Sequence, residues 1–495
     1  MYELDNINNA NLFMENIEQS RIAASQEVAI HKQKLFEQYF TPLDIAKYMS
    51  SLFSDIDNVK LLDAGAGVGN LGLISALKFL NKSSTVNLIS VEWDKKLINF
   101  LKGNLSSVRN KFSTFNYKIV NNNFYNFALH ENKKSTKYNR IILNPPYSKT
   151  STSNTIELKL LQDLNIKTPN SYTNFIEICI NMLDEDGELV AIVPRSFCNG
   201  TRFTQFRNNL INKVNIEFIH LFESRKKVFK EYGVLQEILI IKLTKRNIKK
   251  VAICISDKLT NKKIEKFPKN KIIFNSDPYK FIHIPNKEID ENILNEIYKL
   301  PSSLKELGLN ISTGKVVEYR EPDLIKDNKN DPLAAFVIYQ TFLKHNVLNL
   351  NIKHERLSFL AYKERSKHKM IESGNYIIMK RISYKESKKR IVTALISDTD
   401  FKHRHMTIEN HLNYIHNDGK GIDTHLAIGL NAFLNTNVLD NFIRRFSGHT
   451  QINASDILSL PMPNSKTLVN LGKTIYNGNI SEKEIENLIF KENLW

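Results

Sequence analysis

The chain has 495 residues, with 42% hydrophobic and 10% aromatic side chains, enough to build sizeable cores, so wholesale disorder is excluded. Sixty-nine Lys and Arg against 52 Asp and Glu leave a formal net charge of +17, which favours a polyanionic partner, nucleic acid first and a membrane surface second. Three scattered cysteines, Cys179, Cys198 and Cys254, form no CxxC pair, so neither a zinc ribbon nor a disulfide framework is expected.

The start, MYELDNINNA, lacks a basic-then-apolar signal pattern. No apolar run approaches the roughly 20 residues of a membrane span. A cytoplasmic protein without membrane contact is expected. Residues 1–30 are polar and Asn-rich, a lead-in. From 31 to 245 short apolar runs alternate with amphipathic stretches. Strands are expected at 59–65, 86–93, 117–123, 138–144, 187–194, 216–222 and 235–243, with helices at 71–80, 95–105 and 173–183. This alternation predicts a doubly wound, Rossmann-like α/β sheet. The last two strands follow each other without a clear helix between them, which predicts an antiparallel hairpin at the sheet edge. Residues 246–300, rich in Lys and Asn, read as a connector. Residues 301–463 read as a second domain of mixed α+β structure. The tail, 464–495, has helical spacing, and Ser481-x-x-Glu484 matches a capping box.

Two motifs carry chemistry. Asp63-Ala-Gly65-Ala-Gly67-Val-Gly69 follows the first apolar strand and precedes a helix. Glycines let the backbone turn tightly and approach a ligand. A second strand ends in Glu92-Trp93, where an acidic side chain can accept from both ribose hydroxyls of an adenosine-containing cofactor. The glycines alternate, unlike a dinucleotide GxGxxG, and Asp63 leads them. This is the pattern of an S-adenosylmethionine turn. The ammonium of that cofactor can pair with carboxylate and carbonyl oxygens. A plain structural βα turn is the competing reading.

The second motif, Asn144-Pro145-Pro146-Tyr147, ends the strand Tyr138–Leu143. Two prolines remove two backbone donors and stiffen the exit from the sheet. The Asn144 side-chain oxygen and the Pro145 carbonyl can both accept from an exocyclic amino group. Its nitrogen lone pair is then free to attack. Tyr147 offers a flat face for a base.

Together these residues resemble the gamma-class N6-adenine DNA methyltransferases, the modification enzymes of type II restriction systems. In that family a Thr-Pro motif precedes the cofactor turn, the Asn-Pro-Pro-Tyr segment and a recognition domain. Here Gln38-Tyr-Phe-Thr41-Pro42 stands in that place. The resemblance implies a catalytic domain over 31–245 and a DNA-recognition domain over 301–463. It places Thr41 and Pro42 against the methionine part of the cofactor, with Asp63, Gly65, Gly67 and Gly69 as its main cradle. Glu92 would hold the ribose, with Trp93 beside the adenine ring. Asn123-Phe124 stands where the family has Asp-Phe. Phe229 matches the aromatic that stacks on the far face of the flipped target base. Ser312–Arg320 and Gly448–Ala454 resemble stretches of recognition domains.

Between Lys363 and His405 there are twelve Lys and Arg against five Asp and Glu, interleaved with Tyr362, Tyr376 and Tyr384 around them. Lys380, Arg381, Arg390, Arg404, Gln451 and Asn453 are the candidate base readers. His403, His405, His411 and His416 lack acidic or cysteine partners at ligand spacing, so no metal is expected. The partner implied is double-stranded DNA, with a separately encoded cognate restriction endonuclease as companion. Too few residues precede the Thr-Pro motif for a fused nuclease there, and no GxxxxGK[ST] suggests an ATP-driven motor. Other amino targets (N4 of cytosine in DNA, adenine in ribosomal RNA, a protein glutamine) fit the same motif, as does a non-catalytic specificity subunit with a methylase fold. The large basic second domain favours duplex DNA.

Overall fold

A computed structural model of the chain describes residues 2–27, 40–82, 84–150, 155–222, 237–256, 259, 263–285, 291–326, 331–344, 346–350, 359–384, 387–397, 399, 405–446, 451–478 and 480–492. The chain divides into two compact units, Met1–Cys198 with Arg202–Ile273, and Asn199–Thr201 with Phe274–Trp495.

The first unit is built on a nine-stranded sheet of order β3-β2-β1-β4-β5-β7-β6-β8-β9. Its strands are β1 (Asn58–Ala64), β2 (Thr85–Glu92), β3 (Phe115–Asn121), β4 (Tyr138–Leu143), β5 (Leu183–Pro194), β6 (Asn215–Phe222), β7 (Ile238–Thr244), β8 (Lys250–Ser256) and β9 (Ile264–Pro268). The helices are α1 (Tyr2–Glu27), α2 (Leu43–Ser51), α3 (Asn70–Leu80), α4 (Lys95–Lys111), α5 (Phe124–Lys134), α6 (Thr155–Asp163), α7 (Ser171–Asn181) and α8 (Thr204–Lys213). Strands β3 to β5 pair in parallel through β2, β1 and β4. Covered on both faces, the central strands are near-continuous apolar runs, as parallel strands must be. The core gathers Leu61, Leu73, Leu77, Val86, Leu88, Ile142, Val190 and Ile240.

The expected antiparallel pair is present, since β7 runs antiparallel to both β5 and β6. It does not close the sheet. Strand β8 pairs in parallel with β6, and β9 pairs antiparallel with β8. Residues 250–268, read from the sequence as connector, therefore extend the sheet. Their Lys-rich composition is that of an edge: β9 alternates exposed and half-buried residues, and edge lysines discourage pairing with another chain.

The polypeptide reverses direction of winding between β1 and β4. Strand β2 lies on one side of β1 and β4 on the other, with Asp63 opposite Ile142. In open α/β sheets this switch point opens a crevice at the carboxyl ends of the strands.

The second unit is mixed α+β. A four-stranded sheet joins Asn310–Thr313, Leu412–His416, Tyr376–Lys380 and Thr393–Ile396, and a five-stranded sheet includes Ala335–Ile338 and His405–Ile408. Helices Thr424–Leu434 and Ser465–Asn477 pack backbone to backbone, since a Cβ on Gly429 or Gly472 would meet the facing main chain at 1.9 or 1.8 Å. The expected capping box is formed: the Ser481 amide donates to Glu484 and the Glu484 amide donates to the Ser481 hydroxyl. The tail helix Glu482–Glu492 inserts Ile489 into the core of this unit, so the tail is part of the second unit. No helix among the described residues is long and apolar enough to cross a membrane.

Candidate functional site

The turn after β1 needs its glycines for conformation. Gly65, Gly67 and Gly69 have φ of 85°, 57° and 93°, in the left-handed region that a Cβ disfavours. The amides of Gly65 and Ala66 both donate to the Val91 carbonyl, which ties the turn to the end of β2. Phe40 packs on it from the other side, 3.4 Å from where a Cβ on Gly67 would lie.

Asp63 is fully buried. Its Oδ2 accepts from the Gly72 amide at 2.9 Å. Its Oδ1 is buried with no hydrogen-bond partner among the described residues. Burial pushes this carboxyl up to about 7; the Gly72 amide opposes the shift and the Glu92 carboxylate adds to it. A buried acceptor with an open lone pair suits a cation. Gly72 itself was not singled out from the sequence. A Cβ there would stand 2.6 Å from Asp63 Oδ2 and 3.0 Å from Asp63 Cβ. Its signal is legible in retrospect: the glycines of the turn continue to a fourth, three residues into α3.

Glu92 commits both carboxylate oxygens to backbone. Oε2 accepts from Gly67 at 2.8 Å, and Oε1 accepts from Trp93 and Asp94 at 2.9 and 2.8 Å. Burial raises its carboxyl above the usual range, against the pull of those amides. Free lone pairs remain on a carboxylate so engaged. Trp93 beside it is half exposed.

Asn123 is the N-cap of α5, its Oδ1 accepting from the Tyr125 amide at 2.8 Å. The departure from the family's Asp therefore keeps the cap, a role Asn fills as well as Asp. Phe124 is buried and stacked on Phe175, centroids 4.3 Å apart and planes at 26°.

Asn144 leaves the end of β4 beside this turn. Its Nδ2 donates to Thr41 Oγ1 at 3.1 Å, and its Oδ1 accepts from the Tyr147 hydroxyl at 3.2 Å. Thr41 is buried, and its carbonyl accepts from Asn70 Nδ2 at 3.0 Å. Pro42 is the N-cap of α2. The Thr-Pro motif, the glycine turn and the Asn-Pro-Pro-Tyr segment thus meet at the switch point. Tyr147 is buried rather than presenting an open face: it is 6% exposed, edge-on to Tyr172, with its hydroxyl also 3.4 Å from the Ile192 carbonyl. Beyond it, the Ser171 amide donates to the Ser148 carbonyl and the Thr150 amide to the Pro169 carbonyl, anchoring the segment to α7. Phe229 lies outside the described residues.

In the second unit Arg381 and Gln451 are brought together. Arg381 Nη2 lies 3.5 Å from Gln451 Oε1, and Nη1 donates to the Asn410 carbonyl at 3.2 Å. Lys380 ends its strand, half-buried. Arg390 is fully buried and its amide donates to Asp440, so it cannot reach a base edge. A run of charges in sequence does not reveal which member turns inward. Asn453 spends its side chain as the N-cap of a capping box with Asp456. Arg404 lies outside the described residues. No group of three or more His, Cys, Asp or Glu among the described residues could hold a metal ion.

Residues 25–229 match the model of the Eco57I restriction-modification methylase family. The chain is 31% identical over 493 residues to the type II methyltransferase M.BsuBI of Bacillus subtilis, covering 96% of both chains. It is 32% identical to the type II methyltransferase M.PstI of Providencia stuartii, covering 91% of this chain and 92% of that one. The fold is similar along 98% of the chain to that of MmeI, a type IIL restriction-modification enzyme solved in complex with DNA (TM-score 0.50, 12% identity, 77% of that chain). S-adenosylmethionine is the methyl donor of such methyltransferases, and the open acceptor on Asp63 and the clear space above Gly65, where a Cβ would meet nothing within 4 Å, fit it. On near-full-length similarity to M.BsuBI and M.PstI, and on the match to the restriction-modification methylase family, the chain belongs to the type II DNA methyltransferases of restriction–modification systems.

Proposed function

We propose that this enzyme methylates the N6 amino group of a specific adenine in duplex DNA. The observation that carries the reading is Asn144, fixed at the carboxyl end of β4 with its amide oriented by Thr41 and Tyr147.

S-adenosylmethionine, when bound, supplies an electrophilic methyl group. Asp63 and the backbone of Gly65 to Gly69 hold its amino-acid end, with Thr41 and Pro42 alongside; Glu92, Trp93, Asn123 and Phe124 hold the adenosine. Because the methyl group is already activated, the protein needs no strong base. Its task is alignment, with acceptors aimed at the developing positive charge on nitrogen. Asn144 Oδ1 and the Pro145 carbonyl accept the two amino hydrogens, and Pro146 keeps the segment stiff. For Asn144 Oδ1 to serve the base, the Tyr147 hydroxyl must share or leave that oxygen. The target nucleotide has to leave the helix, at about a few kcal/mol, and stack between Tyr147 and Phe229 as the proposed walls; Tyr147, packed against Tyr172, must turn out of that packing to offer its face. Arg381 and Gln451 read base edges as a pair. A separately encoded nuclease of matching specificity is the proposed companion, and the cytoplasm, where genomic DNA lies, the proposed location.

Single-molecule sequencing of DNA from cells expressing the chain tests the reading. N6-methyladenine in one sequence context is expected. N4-methylcytosine in its place, or no modified base, overturns it.

A further inference from the structure

In the second unit a cavity of about 690 Å³, within the range of small-ligand pockets, opens between Gln340 and Lys344 on one side of the sequence and Lys380, Ile382 and Val392 on the other. Four lysines, Lys344, Lys380, Lys388 and Lys389, contribute to its wall with Ser383 and Tyr384. No described residue that lines it carries a carboxylate. Lys389 is already engaged, with the Asn435 carbonyl and with Glu482 at 3.5 Å. Lys344, Lys380 and Lys388 form no ion pair with a described residue.

Two further observations favour an anion as the cavity's ligand. Lys380 is held below the usual ammonium range, first by burial and then by the charge of Lys344. The Ser383 hydroxyl is buried with no hydrogen-bond partner among the described residues. Like charges crowded in a concave wall repel one another, and the same concavity focuses their field on an anion. Tyr384, which also lines the cavity, is 58% exposed.

We propose that this cavity is a backbone clamp for the DNA substrate: Lys344 and Lys380 grip one phosphodiester, Ser383 donates to it, and Tyr384 covers the adjoining nucleotide. The clamp rests on the reading of duplex DNA as substrate. It removes Lys380 from the base readers and gives it a role that carries no sequence information.

The test measures binding of the full chain to two labelled duplexes, one with the modified sequence and one scrambled, across a series of salt concentrations. The variants are Lys344→Gln with Lys380→Gln, Ser383→Ala, and Lys466→Gln as an exposed lysine outside the cavity. Each phosphate that a variant no longer neutralises lowers the slope of log affinity against log salt by about 0.9. The double variant, which no longer neutralises that one phosphate, is expected to lose about 0.9 from that slope on both duplexes, with cofactor affinity unchanged. Ser383→Ala should weaken both duplexes at unchanged slope, and Lys466→Gln should match the wild type. An unchanged slope in the double variant overturns the clamp, as does a loss confined to the modified sequence, which would mark base reading. Titration with adenosine monophosphate and with pyrophosphate, without DNA, separates a free-anion site. Saturable binding of either that the double variant abolishes, with the DNA slope intact, overturns the clamp in favour of that ligand. If the wild type binds cofactor but neither duplex, the DNA reading itself fails.

Discussion

Asn144 and Thr41 are hydrogen bonded side chain to side chain at 3.1 Å across 103 residues of sequence. Thr41 takes the Asn144 amide hydrogen, and the Asn144 carbonyl oxygen accepts from the Tyr147 hydroxyl. Two hydroxyls thereby hold the Asn144 amide in place at the carboxyl end of β4.

Replacing Asn144 with Ala removes the side-chain acceptor and leaves the glycine turn intact. Methyl transfer is expected to fall by about a thousandfold or more, with cofactor affinity within a factor of about two. Transfer of labelled methyl groups and calorimetric titration of the cofactor measure the two effects separately.

Thr41→Val keeps the shape of the residue and loses the acceptor. The amide of Asn144 is then free to turn over. The turnover number is expected to drop about 10- to 100-fold, while Thr41→Ser retains most activity. Equal loss in both variants would show that Thr41 acts by packing alone.

Tyr147→Phe deletes the hydroxyl that occupies Asn144 Oδ1. A stability loss of about 1 kcal/mol is expected, with methylation largely kept because the ring remains. Tyr147→Ala should lose methylation. Thermal unfolding and methyl transfer on both variants test this.

Gly72→Ala drives a Cβ into Asp63 Oδ2, at 2.6 Å. Asp63 or the start of α3 must shift, at a cost of about 1–3 kcal/mol. Cofactor affinity should fall more than stability does, because the displaced group is the proposed partner of the cofactor's ammonium.

Asp63 moves from an ordinary 3.8 to about 7 on folding. Between those values the folded chain holds a proton that the unfolded chain has released. The stability this contributes is full below pH 3.8, declines as pH rises through the window, and is lost above pH 7. With the carboxylate as the proposed partner of the cofactor's ammonium, affinity should rise with pH toward 7. Asp63→Asn is expected to flatten both profiles in urea unfolding and in cofactor titration.

The sequence alone determined the two cores of the site and the class of sheet. Gly65, Gly67 and Gly69 are legible because a left-handed backbone is a local demand that one residue type meets cheaply. Asn144-Pro145-Pro146-Tyr147 is legible because prolines impose their geometry wherever they stand. The strand and helix periods place both motifs at the ends of parallel strands. Tertiary structure decided what those local rules leave open. The run Leu235–Leu243 reads as a buried strand, yet nothing in it says that Ile238–Thr244 inserts between β5 and β6 rather than closing the sheet. Arg390 and Arg381 stand in the same basic stretch, but Asp440 draws the Arg390 backbone inward while Asn410 and Gln451 hold Arg381 near the surface. Gly72 matters only because Asp63 folds against it, and Thr41 orients Asn144 only once the 103-residue separation between them has been closed by packing. Dihedral preferences belong to single residues and can be read in order along the chain. Pairing, burial and side-chain contact belong to residues far apart, and the fold alone brings them together.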